Sequence, residues 1–345
     1  MTNKRVTMQD IADACGLSRN TVSKVFNGRG AVPQATKDMI LQKAQELGYG
    51  MPTTEAPKLV KSPVSGKSIA LLTRKIPVDY HFATYFFTSF TDQVCRAGYN
   101  LKMYEISPDE MRLKRLPPHF SLEETAGLIG IELFDRVYMD MMCSIGLPTV
   151  FIDAPVHTLL RLMRCDFVSM ENLAGMTAIM EKVISNGAKT IGFVGDREHC
   201  SSFYERWFGY TVAMDQAGLQ LNKDICILEP DSSSYGDTDW LMEKLDQMPF
   251  IPDAFVCGND FLALHLATAL KKRGLSIPKD VMVTGFDDIP QSAMMDPALT
   301  TVHIPSADIG RAAASVLLRR IENPELPYSW TRIMTTPVWR ESTER

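Results

Sequence analysis

A short stretch near the start of the chain combines side chains with which proteins read DNA. Arg19, Asn20 and Lys24 have the chemistry suited to guanine, adenine and phosphate respectively. They lie on the face of a predicted helix opposite its apolar residues. This spacing indicates a recognition helix. Hydroxyl and amide side chains nearby could bind phosphate oxygens; they are Thr21, Ser23 and Asn27.

The charge of the chain indicates a nucleic-acid partner for this end only. Residues 1–62 hold nine Lys or Arg and five Asp or Glu, a net charge of +4. The whole chain has a net charge of −5, so the remainder carries −9. Because basic side chains neutralise phosphates, a basic module on an acidic body predicts that the small module meets a polyanion.

The segments around these residues predict a helix-turn-helix. Thr7, with Asp10 three positions later, resembles an N-cap with a capping-box carboxylate. Gly16 tolerates the positive φ of a turn, and Ser18 can cap the second helix. We also take the two capping residues, Thr7 and Ser18, as candidate DNA-binding residues. A third helix over about residues 33–48 would complete a three-helix bundle; its predicted inward residues are Met39, Ile40, Ala44 and Leu47.

Composition places the chain among globular proteins. Its 345 residues suffice for two or three domains, and 45% are hydrophobic and 22% charged. No apolar run approaches the roughly 18 residues of a membrane span, and no secretory signal is recognisable, so we expect a cytoplasmic protein with no membrane partner. Seven scattered cysteines without a Cys-x-x-Cys spacing argue against a disulfide framework and a zinc site. We expect reduced thiols, mostly in the core, and no metal or cofactor.

From Ser68 onward, short apolar runs alternate with helical segments. The runs are typical of buried parallel strands, because strands covered on both faces lose the alternation of apolar and polar residues. Helical segments over about 83–97, 172–187, 204–217 and 261–273 separate them, which predicts a doubly wound α/β fold. The six runs are Ile69–Leu72, Gly127–Ile131, Thr149–Ile152, Thr190–Val194, Ala254–Cys257 and Val281–Thr284.

Both parts of the chain resemble the lactose-repressor (LacI/GalR) family of bacterial transcription regulators. At the amino terminus the resemblance runs to Gly48 and Tyr49, and its turn glycine, helix caps and core spacing all agree. The headpiece motifs are Val6–Ala12, Gly16–Ser18 and Thr21–Gly28. The motifs that resemble the family's effector domain are Arg206–Tyr210, Cys257–Asp260, Val283–Asp288, Leu299–Val302 and Trp339–Ser342.

The resemblance implies a repressor-type regulator that binds double-stranded operator DNA as a homodimer, with a tetramer left open. A small all-α helix-turn-helix headpiece would be followed by a two-lobed, doubly wound α/β domain similar to periplasmic sugar-binding proteins. A small-molecule effector, a sugar or sugar derivative, would bind between the lobes and change operator affinity. The implied parts are the headpiece 1–50, a hinge or linker 51–66, and an effector-binding and dimerisation domain 67–345, with lobe 1 at about 67–167 plus 302–331 and lobe 2 at about 168–301 plus 332–345.

The segment between headpiece and body departs from the family pattern. In the family it forms a hinge helix on operator binding, and a leucine of that helix inserts into the minor groove. With one inserted residue, Ala56 and Leu59 fall on the family's alanine and leucine, which makes Leu59 a candidate DNA-binding residue. However, Pro57 replaces an arginine, and proline inside a helix removes a hydrogen bond. Either a hinge helix starts near Pro57 or the segment is a flexible linker, and the proline favours the linker.

The resemblance also implies which residues meet the effector. Arg206, Asn259 and Asp287 stand in family motifs and would converge beyond the carboxyl ends of the strands. A guanidinium fork, an amide and a carboxylate together suit a polyhydroxylated ligand. Alternatively, Asn259 and Asp287 cap the helices that follow them, and Arg206 forms a surface ion pair. Further candidates for the cleft are Tyr80, His81, Phe82, Asp153, Tyr235 and the loop Cys200–Tyr204.

The sequence lacks the motifs of common enzyme classes. Gly66-Lys67-Ser68 resembles the end of a phosphate-binding loop, but Lys61 stands where the loop needs a glycine. No dinucleotide-binding, metalloprotease or serine-hydrolase motif occurs, so no catalytic residue is predicted. Three classes of function remain: a ligand-gated DNA-binding regulator, a sugar-binding receptor without operator function, and a cytoplasmic α/β enzyme. The sequence favours the first.

Overall fold

A computed structural model gives the fold of most of the chain. Three candidate site residues lie outside the part that it describes: Asn27, Leu59 and Tyr80. The side chains of His81 and Phe82 lie outside it as well, and so does the segment around Pro57. The described residues are 7–26, 32–47, 67–74, 81–158 and 164–345.

The first of two compact units, Met1–Ser62, contains the predicted helix-turn-helix. Its helices are α1 (Met8–Cys15), α2 (Arg19–Phe26) and α3 (Gln34–Glu46). The capping box of α1 is present, because the hydroxyl of Thr7 accepts from the Asp10 amide while the Asp10 carboxylate accepts from the Thr7 amide at 2.7 Å. Gly16 ends α1 with a φ of 64°, a conformation that costs glycine little. At the start of α2 the amide of Thr21 donates to the hydroxyl oxygen of Ser18 at 3.2 Å.

A small apolar core joins the three helices, and it differs from the predicted core at two positions. Ile40 and Ala44 of α3 are buried as predicted, but Met39 and Leu47 are 45% and 37% exposed. Ile40 and Ala44 lie four residues apart and so form one row along α3. Helices α1 and α2 have only eight residues each; they cover the row of Ile40 and Ala44 and leave Met39 and Leu47 exposed. The other buried residues of this core are Ile11, Ala12 and Val22.

The second unit, Pro63–Arg345, alternates strands and helices as the sequence predicts. Short 3-10 helices lie at Lys223–Ile225 and Glu341–Thr343. In chain order the other elements are β1 (Ser68–Thr73), α4 (His81–Arg96), β2 (Asn100–Glu105), α5 (Pro108–Leu113), β3 (Thr125–Ile131), α6 (Arg136–Ser144), β4 (Thr149–Ile152), β5 (Asp166–Met170), α7 (Leu173–Ser185), β6 (Ile191–Val194), α8 (Ser201–Gln216), α9 (Thr238–Gln247), β7 (Ala254–Cys257), α10 (Asp260–Lys272), β8 (Met282–Thr284), α11 (Pro290–Met294), β9 (Thr301–His303), α12 (Ser306–Glu322), β10 (Trp330–Ile333) and β11 (Thr336–Val338).

The first lobe of this unit is built on a parallel sheet. Among the described residues its strand order is β10-β5-β4-β3-β1-β2. Ile69 and Leu71 of β1 pack with residues of α4 and α12 on one face, whereas Ala70 and Leu72 pack with residues of α6 on the other. Because helices cover both faces, β1 is an unbroken apolar run rather than an alternating one.

The second lobe is a smaller parallel sheet in the order β6-β7-β8. Phe193 and Val256 belong to the cluster that includes residues of α7 and α8. On the opposite face, Phe255 and Val283 pack with residues of α9 and α10. Layers of helix, parallel sheet and helix therefore recur in both lobes, which confirms the predicted two-lobed, doubly wound architecture.

Three short segments carry the chain between the lobes. They lie between β5 and α7, between β9 and α12, and between β10 and β11. β11 pairs antiparallel with β9, whereas β10 belongs to the first-lobe sheet. The segments are tied together, since the amide of Glu171 donates to the carbonyl of Ile333 at 2.8 Å and the hydroxyl of Thr335 donates to the carbonyl of Glu171 at 3.0 Å.

Helices α4 and α12 of the first lobe pack closely because α12 has a glycine at the crossing. A Cβ on Gly310 would lie 2.3 Å from the hydroxyl oxygen of Ser89 and 2.5 Å from the carbonyl oxygen of Phe86. Such distances are far below van der Waals contact, so glycine sets the separation of the two helices. Ile309, Ala313 and Leu317 complete the buried face of α12.

The seven cysteines are free thiols, of which Cys165, Cys200 and Cys257 are buried. The described residues contain no group of three or more side chains that could hold a metal ion. Within that same part of the chain, every helix is too short or too polar to cross a bilayer.

Candidate functional site

Helix α2 exposes the three side chains that the sequence assigns to DNA recognition. Arg19, Asn20 and Lys24 are all exposed, while Val22 faces the core. Thr21 and Ser23 are half-buried on the same helix. A cationic fork, an amide and an ammonium group are therefore open to a partner on one small helix.

Thr7 and Ser18 have structural roles at the ends of helices. The Thr7 hydroxyl lies 2.7 Å from Oδ2 of Asp10, and the Ser18 hydroxyl lies 2.9 Å from that of Thr21. Both side chains thereby fix the start of a helix, and Ser18 fixes the helix that carries Arg19. Contact of either residue with DNA remains a prediction.

Arg206 is the centre of a polar cluster in the second lobe. It lies in the second turn of α8 and is only 3% exposed. Its Nε donates to Oδ1 of Asn172 at 3.0 Å, and its Nη1 donates to the carbonyl of Gly258 at 2.7 Å. The same Nη1 lies 3.4 Å from Oδ1 of Asp287. A buried guanidinium held by three acceptors has a fixed orientation, and the alternative of a surface ion pair does not describe it.

Asp287 lies just beyond the carboxyl end of β8, with a φ of 124°. Burial raises the pKa of its carboxyl to about 7; the positive charge of Arg206 opposes this shift, and the nearby carboxylate of Asp260 adds to it. The side chain is 26% exposed, so part of the carboxylate faces open space. The structure thus brings Arg206 and Asp287 together where ligands of parallel α/β sheets bind.

Two aromatic rings flank the guanidinium of Arg206. The ring of Phe286 lies 3.8 Å from its Cζ, and the ring of Phe203 lies 5.6 Å from it. The polar groups therefore stand beside apolar surfaces that suit the C–H faces of a sugar or the face of a base. Phe203 belongs to the loop Cys200–Tyr204 that the sequence predicts at the cleft, whereas Phe286 was not predicted as a site residue and directly precedes Asp287.

Asn172 and Glu205 complete the cluster, and neither was predicted as a site residue. Asn172 is fully buried, and its Nδ2 donates to Oε2 of Glu205 at 2.9 Å. It also lies 3.3 Å from the hydroxyl of Ser202. Asn172 follows β5, and Ser202 and Glu205 are on the first turns of α8. The sequence predicts a helix from about residue 204 and places Ser202 in a loop at the cleft, whereas α8 begins at Ser201 and carries Ser202 on the same helix as Arg206.

Asp153 brings the first lobe to the same cluster. It follows β4 with a φ of 62°, and its carboxylate accepts from the amides of Ala154 at 2.8 Å and Ser202 at 3.4 Å. The amide of Ser201 donates to the carbonyl of Ala154 at 2.7 Å. These bonds join the end of a first-lobe strand to the start of α8 in the second lobe.

Asn259 and Tyr235 both form hydrogen bonds with nearby residues of the second lobe. Oδ1 of Asn259 caps α10 by accepting from the amide of Leu262 at 3.0 Å, as the alternative reading predicts. Its Nδ2 has no hydrogen-bond partner within the described part of the chain. The hydroxyl of Tyr235 donates to the carbonyl of Glu229 at 2.8 Å, and its ring belongs to the second-lobe core. Tyr235 therefore packs the core, whereas Asn259 retains a free donor near Gly258.

The chemistry of the cluster suits a neutral ligand that carries several hydroxyl groups. Nη2 of Arg206 and Oδ2 of Asp287 have no hydrogen-bond partner among the residues described. Together with Nδ2 of Asn259, they offer two kinds of donor and one acceptor. Hydroxyl groups both donate and accept, so their chemistry matches all three groups.

Comparisons with known proteins extend over both units. Residues 7–51 match the family described as bacterial regulatory proteins, lacI family, and residues 180–343 match the periplasmic binding protein-like domain. The chain is 27% identical over 337 residues to the HTH-type transcriptional repressor PurR of Haemophilus influenzae, covering 96% of each protein. It is 28% identical to the ribose operon repressor of the same species, covering 97% of this chain and 98% of that relative.

Solved structures share the fold. A complex of the transcriptional regulator CelR with cellobiose superposes with a TM-score of 0.70 at 22% identity, covering 98% of this chain and 100% of that one. The lac repressor dimer bound to operator and the anti-inducer ONPF has a TM-score of 0.69 at 21% identity, covering 99% of both chains.

Proposed function

Because the chain belongs to the lactose-repressor family of bacterial transcription regulators, we propose that it is a repressor gated by a small molecule. It binds a near-palindromic operator as a homodimer, and its effector, a carbohydrate, binds beside Arg206 and Asp287. The relatives named above are repressors, not enzymes. A regulator of this kind works in the cytoplasm, where bacterial DNA lies.

Support for operator binding comes from α2. Arg19 and Asn20 stand on its first turn, where recognition helices of helix-turn-helix proteins contact base edges. Lys24 stands on its last turn and suits the phosphate backbone. A two-fold symmetric pair of such helices reads two half-sites about one turn of DNA apart, so a homodimer matches a near-palindrome.

The contact between Arg206 and Asp287 is the observation that carries the effector site. A buried cation beside a carboxylate with a pKa of about 7 leaves a nearly neutral site. Such a site favours a ligand without a phosphate or carboxylate group, since an anion would compete with Asp287 for Arg206. Hydroxyl groups of a neutral sugar match the free donors and acceptor, and the flanking rings of Phe203 and Phe286 match its C–H faces.

The proposal is tested by the melting temperature of the full chain in the presence of candidate effectors. A panel would contain neutral pentoses, hexoses and disaccharides, the matching sugar phosphates, nucleosides and purine bases. A ligand that binds only the folded state at 100 times its Kd stabilises it by about 2.7 kcal/mol, which shifts the melting temperature by a few degrees. We expect a neutral sugar to give this shift, and its phosphate to give none.

The Arg206→Ala variant is the control for the panel; it should melt at a lower temperature than the wild type, because its buried partners lose the guanidinium, and it should show no shift with the ligand. A shift with purines alone would replace the carbohydrate in the proposal by a base. A shift that survives in Arg206→Ala would move the effector away from this cluster. Operator binding is tested separately by the salt dependence of binding to palindromic DNA from upstream of the chain's own gene.

A further inference from the structure

A series of hydrogen-bonded polar side chains connects a first-lobe strand to Arg206. It begins at Arg332 of β10, whose Nη2 donates to Oε1 of Glu205 at 2.6 Å. The other carboxylate oxygen of Glu205 accepts from Nδ2 of Asn172 at 2.9 Å, and Oδ1 of Asn172 accepts from Nε of Arg206 at 3.0 Å. Arg206 in turn contacts Asp287. Every link is at hydrogen-bond distance, so none of the interior members can turn without disturbing its neighbours.

The ion pair at the start of this line crosses from one lobe to the other. Arg332 belongs to the first-lobe sheet, where it pairs with Ser169 of β5. Glu205 belongs to α8 of the second lobe. Arg332 is also two residues before Met334 and Thr335, which carry the chain between the lobes. Movement of one lobe against the other must therefore change the distance between the two charges.

The carboxylate of Glu205 is buried and therefore depends on the charge of Arg332. The Glu205 side chain is 9% exposed and that of Arg332 is 29% exposed, so the carboxylate is the more deeply buried of the two. A buried carboxylate that loses its cation is strongly unfavourable. The guanidinium of Arg332 is held from its other side, since its Cζ lies 5.2 Å from the ring of Trp330, whose Nε1 donates to Ser169 at 2.8 Å.

We infer that Glu205 and Arg332 are a positioning pair that locks Arg206 for the effector only while the lobes are in this arrangement. With the pair intact, Glu205 orients the amide of Asn172, and Asn172 holds Arg206 against Asp287. When the lobes separate, Arg332 withdraws, Glu205 loses its cation, and the orientation of Asn172 and Arg206 is no longer fixed. Effector affinity and lobe arrangement are thereby linked through four side chains. The inference rests on the proposed effector site.

Hydrogen exchange of the full chain without DNA or effector tests the pair. The amides of Ser201 and Ser202 donate to Ala154 and Asp153 of the other lobe, so their exchange reports separation of the lobes. We expect Arg332→Gln to speed exchange in the peptide over residues 199–206 on the order of tenfold, while peptides of β1 and β7 exchange as before. Because neither ligand is present, failure of the proposed function would not affect this result.

Two further variants keep the test decisive. In the double variant Glu205→Gln with Arg332→Gln, two neutral amides replace the ion pair, so exchange should return most of the way to the wild-type rate. Arg340→Gln is the matched control, because Arg340 and Asp288 form an ion pair of the same 2.6 Å length within the second lobe. Equal acceleration in Arg340→Gln, acceleration spread over β1 and β7, or no acceleration in Arg332→Gln would each overturn the inference.

Discussion

At the scale of single residues, the carboxyl of Asp287 responds to pH in the physiological range. Burial raises its pKa to about 7, so it is ionised above that pH and protonated below it. The ionised form has two acceptor oxygens and a charge that pairs with Arg206, whereas the protonated form loses the charge and turns one of the two oxygens into a donor. A ligand that needs the carboxylate should bind about tenfold more weakly at pH 6 than at pH 8, as the ionised fraction dictates. Titration calorimetry with the sugar that gives a thermal shift measures this ratio.

Asp287→Asn is the control for this pH dependence. It keeps the shape of the side chain but has no titrating group, so its affinity should be low and equal at both pH values. If the wild type binds equally at pH 6 and pH 8, Asp287 does not bind the effector as a carboxylate.

Substitutions of single residues in α2 should separate two contributions to DNA binding, the recognition of bases and the attraction to the phosphate backbone. Arg19→Ala or Asn20→Ala should cost about 1–3 kcal/mol on the operator and little on unrelated DNA. Lys24→Ala should weaken both alike and lower the slope of log affinity against log salt by about 1. Fluorescence anisotropy at several salt concentrations separates these outcomes. Equal losses on random DNA for all three variants would contradict the assigned roles.

The site residues that could be predicted are those in motifs that resemble the family. The resemblance implied that Arg206 and Asp287 meet beyond the carboxyl ends of the strands, although Arg206 itself lies in the second turn of α8. Glu205 and Arg332 could not be paired in advance, because 127 residues separate them and both look like surface charges. Tyr235 was predicted at the cleft, but its hydroxyl bonds to two backbone carbonyls and its ring packs in the second-lobe core.

At the scale of secondary-structure elements, the strands that are continuous apolar runs were predicted, and the strands that contain polar or charged residues were missed. All six apolar runs form strands, because a strand covered on both faces is continuously apolar. Strand β2 lies at a sheet edge and is half exposed, so its Asn, Lys and Glu residues hid it. Strand β5 begins with Asp166, whose charge is matched by the buried Arg320 of α12. The sequence around Asp166 does not show that Arg320, 154 residues later, is its partner.

The crossing of α4 and α12 gives a prediction at this scale. Gly310→Ala should improve helix propensity by about 1 kcal/mol, yet its Cβ would overlap the backbone carbonyl of Phe86. Overpacking of this kind costs typically 1–3 kcal/mol, so we expect a lower melting temperature by calorimetry. Ser315→Ala, on the exposed face of the same helix, should leave the melting temperature nearly unchanged. A Gly310→Ala variant as stable as the wild type would show that the helices can move apart freely.

At the scale of the whole molecule, the two units should be separable by mutation. Arg206→Ala removes the centre of the effector cluster and leaves the basic first unit intact. It should bind operator DNA with wild-type affinity but no longer respond to the effector. Arg19→Ala should do the reverse, with weak operator binding and a normal thermal shift with effector. Measuring both properties in both variants tests the division, and loss of both in either one would contradict it.

The order of strands in the first-lobe sheet has a consequence for folding during synthesis. Strands β1 to β5 leave the ribosome early, but their sheet is completed by β10, and its face is covered by α12, both from the last part of the chain. The strands β6, β7 and β8 of the second lobe lie between them in the chain, but that lobe is also completed late, because β11 pairs with β9 and the hydroxyl of Ser342 donates to the carbonyl of Val283. Until α12 and β10 emerge, β5 has an open edge and the apolar side of α4 is uncovered, which are features that chaperones bind and that promote aggregation. Slow translation late in the message would prolong this vulnerable interval.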